Sequence, residues 1–463
     1  MRLVFLISDY FLFFLFFVFL FFLIRALNNP VSRSSWKRVF YHPWGLFSIL
    51  ILFVYFSVAL LDSVHFVTKI PSSQNNHVFY SNDAKSLLDQ LIFPIGTITE
   101  KTYSAPFATT LYTKQTAEDK NGNLIRTYLP LLINKNKTHL LKTSHIIWVF
   151  VNTGIVSLLF GAILFSLITF LFSLKRKLSF LQAFKILFNP HGGFPWKTCV
   201  TTVSAILFFF SIFYLFSGDY HIFGTDKVGQ DVLYEALKSI RTGILIGTLT
   251  TLVTLPFAII LGISAGYFGG WMDDGIQYIY TVLSSIPGVL LIAASVLSIQ
   301  IYINNHPSYF LTMNARADLR LVILCFILGI TSWTSLCRIL RAETLKLREL
   351  DYVHAATLLG SSSWRIIKNH LLPNLGHLIL ITIVLDFSGL VLAEAVLTYV
   401  GVGVDPTTYS WGNMIDTARL ELARDPVVWW PLTSAFCLMF IFILAANLFA
   451  DRVRDAFNPR STT

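Results

Sequence analysis

The chain has 463 residues, of which 55% are hydrophobic and only 13% are charged, and it contains 42 Phe. This composition excludes an ordinary water-soluble domain, because the apolar residues come in uninterrupted runs of about 18 or more, long enough to cross about 30 Å of hydrocarbon. The net charge of +10 does not indicate a nucleic-acid partner, since the Lys and Arg residues concentrate in short loops beside apolar runs.

The apolar runs predict an all-α polytopic membrane protein with about nine transmembrane helices and a small extracytoplasmic segment. These runs lie near residues 4–25, 45–64, 145–173, 198–217, 241–265, 275–300, 319–338, 376–397 and 430–450. The first run is too long and too rich in Phe for a signal-peptide core and lacks a small-residue cleavage site, so it is interpreted as a retained helix. The four cysteines show no metal-ligand spacing and are predicted to be core residues.

Loop charge predicts the orientation of these spans. Arg33, Lys37 and Arg38 precede the second span, and five Lys and Arg residues fill the loop after the third, with no acid in either loop. Because basic loops remain in the cytoplasm, both loops are predicted to be cytoplasmic. Alternation then places residues 65–144 outside the cytoplasm and residues 339–375 inside it.

Residues 65–144 are polar and mix both charge signs. They include short β-rich stretches at residues 97–99 and 107–112. About 80 residues suffice for a modest core, whereas the Asn, Lys and Ser content equally permits a loose loop. Of these two alternatives, we favour an ordered β-domain over a loose loop.

The predicted cytoplasmic loop between the seventh and eighth spans has a regular pattern of small residues, glycine and proline. It contains His354, Ala355 and Ala356, then Gly360, and then His370, Leu371, Leu372 and Pro373. Residues 350–359 are predicted to form a helix whose two alanines allow close approach by a partner surface, and Gly360 permits a sharp reversal.

A second helix is predicted after this reversal, with an N-cap among residues 361–363 and an end at Pro373. Helical spacing gives it two faces. The apolar face consists of Trp364, Ile367 and Leu371, and the polar face consists of Arg365, Lys368 and Asn369. Such a hairpin fits either a coupling element or an ordinary interfacial amphipathic hairpin.

The spacing of this loop resembles the EAA loop of ATP-binding-cassette importer permeases, which reads Glu-Ala-Ala, three residues, Gly, nine residues, an apolar residue, any residue, Leu and Pro. His354 stands where that family usually has Glu, which puts the hydrogen bonds and salt bridges of that Glu in doubt. The resemblance implies that the loop couples the chain to a separate ATPase. The implied coupling residues are His354, Ala355, Ala356, Gly360, Trp364, Arg365, Ile367, Lys368, His370, Leu372 and Pro373.

Residues 221–233, which read HIFGTDKVGQDVL, resemble the HPLGTDxxGRDVL segment of C-type permease subunits in the dipeptide, oligopeptide and nickel permease family. The glycines suit a tight turn, and Thr225 and Asp226 can bond local backbone or cap the following helix, so a structural role is favoured over substrate contact. Gln230 replaces the family's usual Arg and removes a possible charged partner of the nearby acids. The motif residues are Gly224, Thr225, Asp226, Gly229 and Asp231.

Further matches to this family follow in order to the end of the chain, at residues 266–273, 393–404, 410–414 and 454–459. The resemblance therefore covers roughly residues 190–463. It implies a type I permease core with six spans at residues 191–463, including the coupling loop at 339–375. Residues 1–190 are predicted to be an N-terminal extension with three spans and the segment 65–144, and their role is not implied by the resemblance.

Two residues within the predicted spans are candidates for a translocation pathway. Glu394 is an acid near the outer end of a span, where it either lines the pathway or supports the adjoining loop. Pro287 interrupts the sixth span, where it either kinks the helix towards the pathway, which is favoured, or is accommodated by neighbouring helices. Pro431 is predicted to start the last span.

The resemblance implies the permease subunit of an ATP-driven importer in the bacterial inner membrane, with dipeptides or oligopeptides as the expected substrate. Nickel complexes or peptide-like antibiotics are alternatives, as are a secondary transporter or a membrane scaffold. The sequence has no Gly-x-x-x-x-Gly-Lys-Ser/Thr phosphate loop, so the chain is expected to be no enzyme and to hold no cofactor, with ATP bound by partner subunits. The implied partners are a second homologous permease, two ATP-binding subunits, a periplasmic solute-binding protein and membrane lipid, without nucleic acid.

Overall fold

The computed structural model describes residues 2–28, 30–67, 69–70, 79–80, 85–92, 98–118, 124–134, 143–188, 193–306 and 313–457. Within these ranges, eight helices are long and apolar enough to cross a membrane. They correspond to eight of the nine predicted spans. The first predicted span coincides with a 22-residue helix, Ile7–Asn28, of about 33 Å at 1.5 Å per residue. The polytopic helical fold is thus confirmed.

The described helices are α1 (Ile7–Asn28), α2 (Pro30–Tyr41), α3 (Pro43–Asp62), α4 (Leu87–Leu91), α5 (Thr143–Arg176), α6 (Phe180–Phe188), α7 (Trp196–Phe216), α8 (Val232–Phe268), α9 (Gly270–Ser285), α10 (Gly288–Asn305), α11 (Met313–Arg348), α12 (Asp351–Leu358), α13 (Ser363–Ile366), α14 (Leu372–Tyr399), α15 (Trp411–Glu421) and α16 (Trp430–Phe457). The described strands are β1 (Arg2–Val4), β2 (His65–Val67), β3 (Lys69–Ile70), β4 (Phe79–Tyr80), β5 (Lys85–Ser86), β6 (Gln115–Glu118) and β7 (Leu124–Thr127).

Proline shapes two of the predicted spans. The span predicted at residues 275–300 is divided into α9 and α10, and Pro287 is the residue before α10, with φ −56° and ψ 116°. The predicted kink is therefore a break between two helices, with Pro287 at the N-cap of α10, where its missing N–H removes no helical hydrogen bond. Pro431 is the second residue of α16, as predicted for the start of the last span.

Packing divides the chain into two compact units. Unit 1 comprises Met1–Val4, Arg33–Arg241 and Tyr409–Leu448, and unit 2 comprises Phe5–Ser32, Thr242–Thr408 and Phe449–Thr463. The predicted domain boundary at residue 190 stays a prediction.

Among its described residues, unit 1 contains three small antiparallel sheets, in the orders β1-β2-β5, β3-β4 and β6-β7. The β-rich stretch predicted at residues 107–112 is not a strand, since only Thr110 forms a bridge, to Pro130. The other predicted stretch, residues 97–99, begins outside the described residues. Residues 98–118 nevertheless have an ordered core, in which Tyr103 and Leu111 are almost fully buried.

Unit 2 has a core between α8, α9, α11 and the segment that follows α11. Glycines bring α8 and α11 close together. A methyl group added at Gly262 would lie 2.9 Å from the carbonyl oxygen of Cys337, and one added at Gly266 would lie 2.6 Å from Thr344 Cβ. Both distances are too short for a carbon, so only glycine permits this approach. The buried core residues include Ile263, Ile276, Tyr280, Trp333, Leu336, Leu340, Val353, Ile366 and Leu371.

Candidate functional site

The loop after α11 folds as a helical hairpin within unit 2. Its first arm, α12, ends at Gly360, which has a φ of +77°. Gly360 N–H donates to the Thr357 carbonyl at 3.0 Å, and Ser361 N–H donates to the Ala356 carbonyl at 3.1 Å. These two hydrogen bonds form a Schellman motif, in which glycine tolerates the left-handed conformation. The reversal predicted at Gly360 is confirmed.

The prediction that the second arm of the hairpin ends at Pro373 is wrong. Helix α13 passes through a π-helical turn, Ile367–Leu371, directly into α14, where Pro373 is the second residue. The wide turn is closed by the N–H of Leu372 donating to the carbonyl of Ile367. Because Pro373 lies in the first turn of α14, its missing N–H removes no bond from a regular helix.

The two faces of the second arm are only partly as predicted. Arg365 and Lys368 are exposed, as expected of the polar face. Leu371 is fully buried and Ile367 packs against the core, but Trp364 is 72% exposed. Ile366, which the prediction left out, is fully buried instead. The irregular turn explains this shift, because the π-helical residues do not follow the 3.6-residue period assumed in the prediction.

Exposed apolar side chains form the tip of the hairpin, defined here as Leu358, Leu359 and Trp364. Leu358 is 89% exposed and Leu359 is 85% exposed. Arg365 and Lys368 add positive charge nearby along the chain. Exposed apolar groups rimmed by polar residues are typical of a surface that binds a protein or a membrane.

The residues of the Ala-Ala pattern lie on α12. His354 and Ala355 are exposed, whereas Ala356 is partly buried against the core of unit 2. His354 Nε2 lies 3.7 Å from Glu349 Oε2, and both side chains are more than half exposed. A pair so open to water contributes little to stability. His354 is therefore available at the surface of the hairpin, and His370 is half-buried further along the second arm.

An ion pair supports the core behind the hairpin. Arg341 on α11 donates two hydrogen bonds to Asp273 on α9, from Nε to Oδ1 at 2.5 Å and from Nη2 to Oδ2 at 2.6 Å. The hydrogen bond from Arg341 lowers the pKa of Asp273. Arg348 Nη1 also donates to the Tyr267 carbonyl at 3.1 Å. Residues 266–273, one of the family-like segments, thus fix the end of α11 from which the hairpin extends.

The second candidate site is the motif loop, residues 221–231 in unit 1. His221 Nδ1 lies 2.7 Å from Asp231 Oδ2, and His221 Nε2 lies 3.6 Å from Glu100 Oε1, an ion-pair distance rather than a hydrogen bond. All three side chains are nearly completely buried. Burial alone would lower the pKa of His221, but the carboxylates of Asp231 and Glu100 raise it to about 9. A protonated imidazole thus joins two acids.

Glu100 belongs to the predicted N-terminal extension, residues 1–190, and neighbouring residues of this segment also bind the motif loop. Glu100 N–H donates to the Gly229 carbonyl at 2.9 Å, and Ser104 N–H donates to Thr225 Oγ1 at 2.6 Å. A methyl group at Gly229 would lie 1.9 Å from the Glu100 carbonyl oxygen, and one at Gly224 would lie 2.3 Å from that of Ser104. The motif glycines therefore provide room for the extension.

The two aspartates of the motif have separate local roles. Asp226 Oδ1 accepts from the backbone N–H groups of Val228 at 3.0 Å and Gln230 at 2.6 Å, which closes the loop. Asp231 Oδ1 accepts from the N–H groups of Leu233 at 2.8 Å and Tyr234 at 3.2 Å, which caps α8. Capping by Asp231 is the structural role that had been expected of Thr225 or Asp226.

The two pathway candidates from the sequence do not meet in one site. Glu394 is buried on α14, where its Oε1 accepts from Thr398 Oγ1 at 2.9 Å. Thr398 in turn fills the space beside Gly403 in the following loop. These contacts favour the structural role of Glu394. Pro287 separates α9 from α10 and contributes to no described cavity.

Unit 2 contains a cavity of about 240 Å³ between α8, α11 and α14 that sequence reasoning missed. It is lined by Thr251, Thr254, Leu255, Ser332, Ser335, Leu336, Ile383, Leu385, Asp386, Gly389 and Leu390. The signal for it was present, because Asp386 is one of two acids within the apolar run 376–397 and lies nearer its middle than Glu394. Among the described residues, no group of three or more His, Cys, Asp or Glu side chains is arranged to hold a metal ion.

Comparison with known proteins gives relatives for the C-terminal part of the chain. Residues 258–463 match the family described as binding-protein-dependent transport system inner membrane component, a range that includes the hairpin but not the motif loop. The chain is 32% identical over 242 residues to a putative peptide transport system permease protein of Brucella suis, covering 52% of this chain and 74% of that one.

Two further relatives are the oligopeptide transport system permease protein OppC of Mycobacterium bovis, 29% identical with 53% of this chain and 77% of that one covered, and the dipeptide transport system permease protein DppC of Lactococcus lactis, 29% identical with 53% and 65% covered. A solved inward-facing structure of the MetNI methionine ABC transporter aligns with a TM-score of 0.36 and 15% identity, over 49% of this chain and 97% of that one. The chain belongs to the family of binding-protein-dependent transport system inner membrane components, the multi-pass permease subunits of ATP-binding-cassette importers.

Proposed function

We propose that this permease imports dipeptides or oligopeptides, and that its hairpin is the site at which ATPase subunits drive transport. The peptide substrate is supported by the names of the relatives, which are peptide, oligopeptide and dipeptide permeases. A permease of this family works with ATPase subunits and a solute-binding protein, and it is not an enzyme itself. In this proposal the complete importer contains a second homologous permease and two ATPases, and the ATPases bind the ATP.

The observation that carries the coupling proposal is the contrast between the two sides of the hairpin. Its tip exposes Leu358, Leu359 and Trp364, while Ile366 and Leu371 are fully buried in the core of unit 2. An ATPase bound at the tip would therefore push on a rigid element that is anchored by packing. Movement of the ATPase would require movement of the hairpin and of the helices packed against it.

The test is affinity purification of the tagged protein from mild detergent, followed by mass spectrometry of the co-purifying subunits and an ATPase assay. Gly360→Pro is the test variant, because proline cannot adopt a φ of +77° and lacks the N–H that bonds Thr357. Gly401→Pro is a matched control, since Gly401 has a φ of +83° and its N–H donates to the Thr398 carbonyl.

Wild type and Gly401→Pro should both retain the ATPase, whereas Gly360→Pro should lose it while remaining folded. Equal recovery of the ATPase with both variants would contradict the hairpin as coupling site. The substrate is tested separately, by uptake of radiolabelled dipeptides and tripeptides in a deletion strain with and without the wild-type gene. If the gene increases the uptake of none of the peptides tested, peptide import is contradicted.

A further inference from the structure

The cavity of unit 2 has a distinct chemical character, because hydroxyl groups and one carboxylate face a space within the membrane-spanning helices. Its polar lining consists of Thr251 and Thr254 on α8, Ser332 and Ser335 on α11, and Asp386 on α14. Of the eleven lining residues, Asp386 alone is ionisable. The volume of about 240 Å³ is below the 300–1,000 Å³ typical of a pocket for a whole drug-sized ligand. The cavity thus fits one polar end of a solute.

The threonine hydroxyls of the cavity act as hydrogen-bond acceptors. Thr251 Oγ1 donates its proton to the Gly247 carbonyl at 2.6 Å, and Thr254 Oγ1 donates to the Thr250 carbonyl at 2.9 Å. A hydroxyl has one proton and two acceptor sites, so each of these oxygens retains lone pairs for a ligand. Together with a carboxylate, which only accepts when ionised, they favour a ligand that donates.

Asp386 lies near the middle of the apolar helix α14 and is half-buried. Within the described part of the chain it makes no ion pair and no hydrogen bond. An acid at the centre of a span is costly to bury in lipid, and such residues usually pair or mark a substrate path. Its unmatched carboxylate calls for a cation from outside this chain.

Gly389 leaves space one turn of α14 beyond Asp386. A methyl group added there would meet no atom within 4 Å, although the residue lines the cavity. The carboxylate is therefore reachable by a group of moderate size. We propose that this cavity binds a cationic ammonium or guanidinium group, which ion-pairs with Asp386 and donates hydrogen bonds to the hydroxyls of Thr251, Thr254, Ser332 and Ser335.

This proposal rests on the proposed function for the identity of the solute, since a peptide carries an ammonium group at its amino terminus and on Lys side chains. The same cation chemistry is available from a Lys or Arg of the second permease. The two sources are separated by assembly, because loss of a cation shared with the second permease would weaken the complex, whereas loss of a solute site would leave it intact.

The first experiment measures binding of butylammonium to the purified importer complex in detergent by saturation-transfer NMR, with butanol as the neutral comparison. The variants are Asp386→Asn and Asp386→Glu, with Asp405→Asn as control, because Asp405 lies 3.6 Å from Arg320 and outside the cavity. Wild type, Asp386→Glu and Asp405→Asn should bind butylammonium in preference to butanol. Asp386→Asn should weaken that binding at least tenfold while retaining the second permease.

A second pair of variants tests the cavity without changing its charge. Gly389→Leu should fill the space and weaken butylammonium binding, whereas Gly376→Leu on the same helix should not, because Gly376 also has open space but does not line the cavity. Equal butylammonium binding by wild type and Asp386→Asn would overturn the proposal, and loss of the second permease from Asp386→Asn would overturn the solute as the source of the cation. Because binding is measured without transport, a failure of peptide uptake in wild type would overturn the proposed function and leave this site standing.

Discussion

His221 Nδ1 and Asp231 Oδ2 lie 2.7 Å apart in a site from which water is nearly excluded. The pKa of His221 is raised from 6.5 to about 9, so the folded protein binds this proton more tightly than the unfolded chain. The stability that it contributes is complete below pH 6.5 and is lost as the pH rises to about 9. A shift of this size corresponds to roughly 3 kcal/mol.

We therefore expect the melting temperature of the detergent-purified protein to fall between pH 6.5 and 9, and His221→Gln to flatten this part of the profile. His354→Gln is the control, because His354 is exposed and should leave the slope unchanged. The same slope in wild type and His221→Gln would show that another group titrates. On the acid side, burial alone would raise the pKa of Glu100, but the imidazolium of His221 and hydrogen bonds from the N–H groups of Leu132 and Ile133 lower it, so stability should also fall below about pH 4.5.

Gly229→Ala should release the extension from the motif loop. The added methyl would collide with the Glu100 carbonyl, and the φ of +83° costs an L-residue about 1–2 kcal/mol. We expect trypsin to cleave at the exposed Lys101 at least about fivefold faster, which corresponds to 1 kcal/mol. Gly218→Ala, where an added methyl meets nothing within 4 Å, should be cleaved at the wild-type rate. Similar rates for both variants would contradict this arrangement.

Trp364→Ala and Ile366→Ala should have opposite effects, although the two residues are neighbours. Trp364 is exposed, so its truncation should change the free energy of unfolding by less than about 0.5 kcal/mol but weaken ATPase binding by about 2 kcal/mol, or roughly 30-fold. Ile366 is fully buried, so its truncation should destabilise by about 2–5 kcal/mol. Denaturation and titration with the purified ATPase measure the two quantities. Normal ATPase affinity in Trp364→Ala would exclude the tip as the contact.

The pair of Arg341 and Asp273 should show strong energetic coupling in a double-mutant cycle. Arg341→Gln and Asp273→Asn should each destabilise by about 1.5–3 kcal/mol, because the bond is bidentate and mostly buried, and the double variant should cost little more than either. Arg424 and Glu421 form a more exposed pair and should couple by less than about 1 kcal/mol. Additive effects at Arg341 and Asp273 would contradict a supporting role.

Local chemistry made part of the hairpin predictable. A helix that reverses sharply needs a residue with positive φ, and glycine is the residue that supplies it without strain, so Gly360 was identified from the sequence. Pro373 was misjudged, because it lies in the first turn of α14, where a proline starts a helix without removing a hydrogen bond from it. The π-helical turn before it depends on the burial of Ile366 and Leu371 against other helices, which the local sequence does not contain.

The contacts of the motif loop were out of reach for a different reason. Gly229 and Thr225 were identified as structural residues, but their partners Glu100 and Ser104 lie more than a hundred positions earlier in the chain. A pairing over such a distance depends on tertiary packing and leaves no periodic pattern in the sequence. Asp386 differs again, because its apolar surroundings were visible but the cavity around it is formed by three separate helices.

The passage of α13 through Pro373 into α14 has a mechanical consequence. Residues 363–399 form one continuous helix, so Trp364 of the hairpin tip and Asp386 of the cavity wall lie on the same helix. Trp364 and Asp386 are 22 positions apart along it, or about 33 Å at 1.5 Å per residue. A tilt of about 10° at one end would displace the other by about 6 Å, more than the length of a hydrogen bond. A displacement of the hairpin tip would thus move the Asp386 carboxylate directly, because no loop separates the two.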